Sequence, residues 1–120
     1  MAMSCTITEE IHGSVKKIKM VVVSAADGTA SGTTTYAYDG AVLRFVAVPA
    51  AAGSQPTNLF DIALNDADGY DILAGTGADR SNAAATTVVA SMGAIANDKI
   101  TLAATNMGDT KGATLYLYIR

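Results

Sequence analysis

Apolar and polar positions alternate along much of the chain. Across Ala113–Arg120, Leu115, Leu117 and Ile119 alternate with Thr114, Tyr116, Tyr118 and Arg120, the period-2 pattern of a strand with one buried face. The same reading predicts strands over Thr6–Ile11, Val15–Ser24, Thr33–Tyr38, Ala41–Val48, Leu59–Asn65, Tyr70–Leu73 and Lys99–Ala104. Val15–Ser24 is rich in β-branched residues, and the run of Thr33, Thr34 and Thr35 resists a helix because χ1 is restricted there. Ala41–Val48 is largely apolar on both faces, with Leu43 and Phe45 against Val42, Arg44 and Val46. That predicts a central strand covered on both sides. Thr86–Met92 is apolar without a deciding period and reads as a strand or a short helix.

Turn chemistry separates these segments. Gly13, Asp27-Gly28, Asp39-Gly40, Asp66–Gly69, Asn97-Asp98 and Asn106–Gly112 are turns, and Pro49–Asn58 is a loop. Gly75–Ala85 is irregular, with room for one helical turn at Ser81–Ala85. The result is about eight strands at a spacing of roughly 10–12 residues, with no long helical segment between them. This predicts an all-β fold: a single-domain antiparallel β-sandwich or jelly-roll-like barrel over residues 1–120, with residues 1–5 as a flexible N-terminal segment. The strand Leu115–Ile119 is expected to pair inside its own sheet. Otherwise the core of a chain with two Phe and no Trp would be underfilled.

Composition adds a hint about surroundings. Hydrophobic residues make up 50% of the chain, mostly Ala and Val, and charged residues only 16%, against about 25% in an average soluble domain. So little charge predicts a surface partly covered in an assembly. The net charge is −3, whereas a nucleic-acid binder shows a basic face, so no nucleic-acid partner is expected. The one basic cluster is Lys16, Lys17 and Lys19. On a strand, Lys17 and Lys19 share a face and Lys16 lies opposite, which suits a solvent-facing or edge strand protected by charge. A phosphate or acidic-partner contact is the alternative. Met1–Thr6 lacks the features of a signal peptide, and apolar runs such as Met20–Val23 are far too short to span a membrane.

Candidate chemistry is sparse. Asp66-x-Asp68-Gly69-x-Asp71 has the alternating oxygens of a calcium loop, but Leu64 and Gly75 stand where a helix–loop–helix site needs acids. A hairpin turn is the simpler reading. Gly75-Thr76-Gly77-Ala78-Asp79-Arg80 lacks the third Gly of a dinucleotide loop and the Gly-Lys-Ser/Thr of a P-loop. Cys5 and His12 are the only Cys and His. An intrachain disulfide is thereby excluded, a transition-metal site is disfavoured, and a Cys–His pair across a hairpin would lack an orienting third group. No enzyme activity and no cofactor are expected. Tyr36, Tyr38, Tyr116 and Tyr118 occur in pairs at strand spacing, and Tyr is enriched at contacts. Arg80 is placed to pair with a carboxylate of a neighbouring subunit. Tyr36, Tyr38, Arg80, Tyr116 and Tyr118 are therefore the candidate interface residues.

Two longer segments carry a resemblance. Tyr38-Asp39-Gly40-Ala41-Val42-Leu43-Arg44-Phe45-Val46-Ala47-Val48-Pro49 is followed by Thr57-Asn58-Leu59-Phe60-Asp61-Ile62-Ala63-Leu64, the Asp66–Asp71 hairpin and the Gly75–Arg80 loop. In this order, with the terminal Leu115–Arg120, they resemble small virion structural proteins of tailed bacteriophages, over residues 14–120. The resemblance implies a non-enzymatic particle protein assembled in the host cytoplasm. A capsid decoration or cement protein is the preferred placement, bound to the major capsid protein or to copies of itself. A head–tail connector, a tail protein, or an exposed host-surface or glycan-binding module are the alternatives. For a glycan platform, Tyr36, Tyr38 and the Gly75–Ala85 loop would be the surface.

Overall fold

The computed structural model describes residues 3–120. Among them the chain forms nine strands and no helix: β1 (Ser4–His12), β2 (Val15–Val23), β3 (Ala30–Thr33), β4 (Tyr38–Pro49), β5 (Asp61–Asn65), β6 (Thr86–Val88), β7 (Ala94–Asp98), β8 (Thr101–Thr105) and β9 (Gly112–Ile119). All pairings are antiparallel. The larger sheet runs β1-β2-β9-β4-β6, with β7 also paired to β4, and the smaller runs β3-β8-β5. The all-β, sandwich-like single domain is as the alternation predicts.

The period-2 residues become layers. Ile18, Met20 and Val22 of β2, Phe45 and Ala47 of β4 and Leu115, Leu117 and Ile119 of β9 form the inner face of the larger sheet. Ile62 and Leu64 of β5 and Leu102 and Ala104 of β8 meet them from the smaller sheet in one core. β9 lies between β2 and β4, with Leu117 opposite both Ile18 and Phe45. The terminal strand is thus paired on both sides within its own domain. Gly32 of β3 closes one side of the sandwich. A Cβ there would come 2.7 Å from Cys5 Sγ, so a larger residue would push the Cys5 side chain aside where β1 meets β3.

Several segments depart from the sequence pattern, each through a side chain that competes with the ladder. The strand predicted over Thr33–Tyr38 ends at Thr33. Thr34 is buried; its hydroxyl accepts the Ile100 amide at 3.0 Å and donates to the Tyr36 carbonyl at 2.8 Å, which turns the chain away. Asp39-Gly40 is not a hairpin turn but part of β4, at a bulge in its pairing with β7. β4 is central, yet covered on its inner face alone, since the smaller sheet packs on one side only; a second bulge falls between Val42 and Arg44, and Leu43 and Arg44 are exposed. The return strand at Tyr70–Leu73 is replaced by a single bridge, Asn65 to Asp71, and a series of turns. Ser81–Ala85 makes no helical turn, Thr86–Met92 resolves into the short β6, and Asn97-Asp98, expected as a turn, instead ends β7, where Asp98 pairs with Tyr38. Of the expected flexible segment 1–5, Met1 and Ala2 lie outside the described residues. Met3 Sδ accepts the Ser31 amide at 3.2 Å, and Ser4 and Cys5 open β1 opposite Val23 and Val22.

Candidate functional site

Strand register assembles a surface that no single segment contains. On the outer face of the larger sheet, Lys19 of β2, Tyr116 of β9 and Val46 of β4 form one cross-strand row, and Lys17, Tyr118 and Arg44 the next. The Lys17 and Lys19 ammonium groups stand 5.5 and 5.9 Å from the Tyr116 ring centroid, and the Arg44 guanidinium stands 4.3 Å from that of Tyr118. Lys17 reaches the diagonal ring rather than the one directly opposite, as long side chains on a sheet can. Such contacts contribute about 0.5–1 kcal/mol at exposed sites. They hold the cations in place without neutralising them. Among the described residues no carboxylate lies within ion-pair distance of Lys17, Lys19 or Arg44; the one contact of that length joins the His12 ring to Glu10 at 3.1 Å. Of the two roles its charge pattern allowed, the Lys-bearing strand takes the solvent-facing one: it is interior to its sheet, not an edge, because β9 arrives from the far end of the chain to pair with it. Lys16, on the opposite side, donates to the Asp39 carbonyl at 2.9 Å.

The candidate interface residues divide. Tyr116 and Tyr118 lie together on this face. Tyr36 and Tyr38, read as a pair, are split: Tyr36 is 62% exposed and Tyr38 only 4%. Since residues 34–37 are not a strand, these two rings form no common platform. Arg80 lies in a loop, where its Nε donates to the Ala78 carbonyl at 3.1 Å. Arg44 completes the basic face. Its alternation with Leu43 and Phe45 was visible in the sequence, but its partner Tyr118 was not.

Tyr38 belongs to a latch at the end of the sandwich. Its hydroxyl donates to Glu9 Oε1 at 2.6 Å, and the same carboxylate accepts the Thr35 and Tyr36 amides at 2.9 and 3.1 Å. Burial raises the Glu9 carboxyl, but the bonds from Tyr38, Thr35 and Tyr36 outweigh it and hold the group below its ordinary value. Burial and the adjacent carboxylate push the Tyr38 phenol well above its usual range. The lowered Glu9 value means its contribution is complete above the unfolded carboxyl value of about 4.3 and is lost as pH falls through the folded one. Glu9→Ala is expected to bring Tyr38 ionisation down towards pH 10 in a spectrophotometric titration and to speed amide exchange at Thr35 and Tyr36. An unchanged titration would show that the latch does not hold the phenol.

The remaining acidic and glycine motifs are engaged in folding. Asp66 Oδ1 accepts the Asp68 and Tyr70 amides at 3.0 Å, which closes the turn. Asp71 turns inward: Oδ1 accepts from Leu64 and Leu73 and Oδ2 from Gly75, all at 3.0 Å. The carboxylates that converge are Asp66, Asp68 and Asp98, with oxygens within 4.8 Å of one another, which is half or fewer of the 6–8 oxygens calcium takes. Gly77 sits against the Ile62 carbonyl, where a side chain would collide. Its glycine serves packing rather than a phosphate. Cys5 and His12 both lie on β1, seven residues apart. At about 3.3 Å per residue they are roughly 23 Å from each other, so they cannot act as a pair. Half-burial raises the Cys5 thiol. Two open grooves of about 350 and 310 Å³ flank the Pro49–Asn58 loop, and neither is lined by a titratable side chain. No helix among the described residues is long and apolar enough to cross a membrane. Compared with family models, with curated proteins and with solved structures, the chain matches none.

Proposed function

We propose that the chain is a non-enzymatic structural protein of a tailed-bacteriophage particle, a decoration protein that binds the assembled head through the outer face of its larger sheet. The observation that carries this reading is that face. It is a multi-stranded surface without a second layer, bearing two Tyr rings and three cations that have no carboxylate partner among the described residues. Tyr and Arg are the side chains enriched where proteins meet. The low charge content and the resemblance of residues 14–120 point the same way. The polar groups of the apparent motifs are used up in turns, as Asp71 shows by accepting three backbone amides.

A partner that binds only the assembled shell stabilises it by mass action, by about 2.7 kcal/mol per site at a free concentration one hundred times Kd. Heads stripped of the chain are therefore expected to take it up on co-sedimentation and to melt at a higher temperature afterwards. Electron cryomicroscopy of the parent particle is expected to place it on the outer shell. Density only in a neck or tail ring would reject the placement and favour the connector or tail reading.

A further inference from the structure

We propose that the outer edge of β6 pairs antiparallel with the same edge of a second copy of this chain, joining two larger sheets into one. Three other outer strands of the sandwich have their free edges engaged. β5 gives its Ile62 amide to the Gly77 carbonyl at 2.9 Å and its Leu64 amide to Asp71 at 3.0 Å. The Ser31 amide of β3 donates to Met3 Sδ, and β1 ties down Thr35 and Tyr36 through Glu9. β6 has no such cover. Among the described residues, the backbone of residues 84–92 makes no hydrogen bond beyond its ladder with β4, and none of residues 83–91 is buried. An unpaired edge is a template for another strand, and proteins blunt it with charge, Pro or a bulge. From Ser81 to Asn97 there is no charged residue and no Pro, and the β4–β6 register runs without a shift. Symmetry and shape name the occupant. An antiparallel pair of identical strands has a two-fold axis perpendicular to the sheet, which makes the contact closed and self-complementary. With the axis at Thr87, the centre of β6, Thr87 meets its own copy, and Val89 of each copy falls opposite Ala85 of the other. Val89 is 68% exposed in its own domain. Ala85 lines the groove of about 350 Å³ that also borders Ala50, Ala51 and Ala52 and has no charged side chain in its wall. A projecting Val therefore meets a small-residue groove twice in one contact. The same axis turns both outer faces to one side, so a dimer presents two basic Tyr faces to a single surface. Engagement of both raises apparent affinity without any new contact.

Sedimentation equilibrium tests the pairing. The wild-type chain is expected to approach twice the monomer mass with rising concentration and to stop there, while the outward amides of β6 exchange more slowly. Val89→Ala is expected to weaken the dimer about tenfold, since two Val side chains leave the seam. Thr87→Lys and Thr87→Glu each set like charges opposite one another and should each weaken it by about tenfold or more. An equimolar mixture of these two variants is expected to dimerise again, since Lys then faces Glu. Residues 87 and 89 are both exposed in the single chain, and thermal melting checks that each variant is folded. A wild type that stays monomeric up to about 1 mM overturns the inference. So does association that survives Thr87→Lys, growth past the dimer, or a mixture of the Thr87 variants that stays monomeric. A chain that is monomeric alone but loses head binding through Thr87→Lys overturns it in favour of a shell-protein strand at this edge. Dimers that do not bind heads leave the pairing standing and remove the decoration role instead.

Discussion

Deletion of Leu115–Arg120 is expected to abolish cooperative folding, not merely assembly. The deleted stretch includes Leu115, Leu117 and Ile119, each at most 1% exposed. Burial of one such side chain stabilises by roughly 1.5–3 kcal/mol, so three account for roughly 5–9 kcal/mol. A domain's total stability is about 5–15 kcal/mol. The deletion also removes most of the ladder that joins β2 to β4, leaving two strands with bare backbone edges facing a gap. Far-ultraviolet circular dichroism with thermal melting is the measurement. A truncated chain that melted cooperatively as a monomer would show that β9 serves only a contact with neighbours.

Gly40→Ala is expected to be the most damaging single exchange of a small residue. Gly40 has φ +130°, and a Cβ built there would collide with the Arg120 carbonyl. That carbonyl accepts the Ala41 amide at 3.0 Å, while the Arg120 amide donates back to Ala41 at 3.0 Å. Relief of the collision breaks this pair of bonds, each worth about 0.5–1.5 kcal/mol, and leaves backbone strain of about 1–3 kcal/mol. A loss of roughly 2–6 kcal/mol in urea denaturation follows. Gly53→Ala is the control. Gly53 has φ +93° but no atom within 4 Å of the added Cβ, so the strain alone applies. Equal losses for the two variants would show that the close approach to Arg120 costs nothing.

The strand alternation was legible because burial acts on it directly. Ile18, Met20 and Val22, or Ile62 and Leu64, carry the period that the core imposes, and the fold class follows from them. Where side chains bond to backbone the pattern fails, and Thr34 is the clearest case. Its β-branched neighbours favour a strand, but its buried hydroxyl does better against Ile100 and Tyr36. Gly40 reads as a turn residue only because the need for a Cβ-free approach to Arg120 is set by a partner strand at the far end of the chain. The basic face was half visible. Lys17 with Lys19 and Tyr116 with Tyr118 could each be assigned to one side of a strand, but that the two pairs meet depends on β2 pairing with β9, which no local signal encodes. The Asp98 carboxylate beside Asp66 and Asp68 was out of reach for the same reason.

The position of β9 also sets the order of events during synthesis. Lys16 lies opposite Ile119, and Val42 opposite the same residue, so the centre of the larger sheet cannot close until nearly the whole of residues 3–120 has left the ribosome. Sheets dominated by such distant pairings fold slowly, because the entropy of closing long loops must be overcome before any contact rewards it. Until then β2 and β4 wait with apolar faces and unpaired edges open to solvent. Many copies made at once would pass through that state together, so their yield would depend on chaperone capacity more than on the stability of the finished fold.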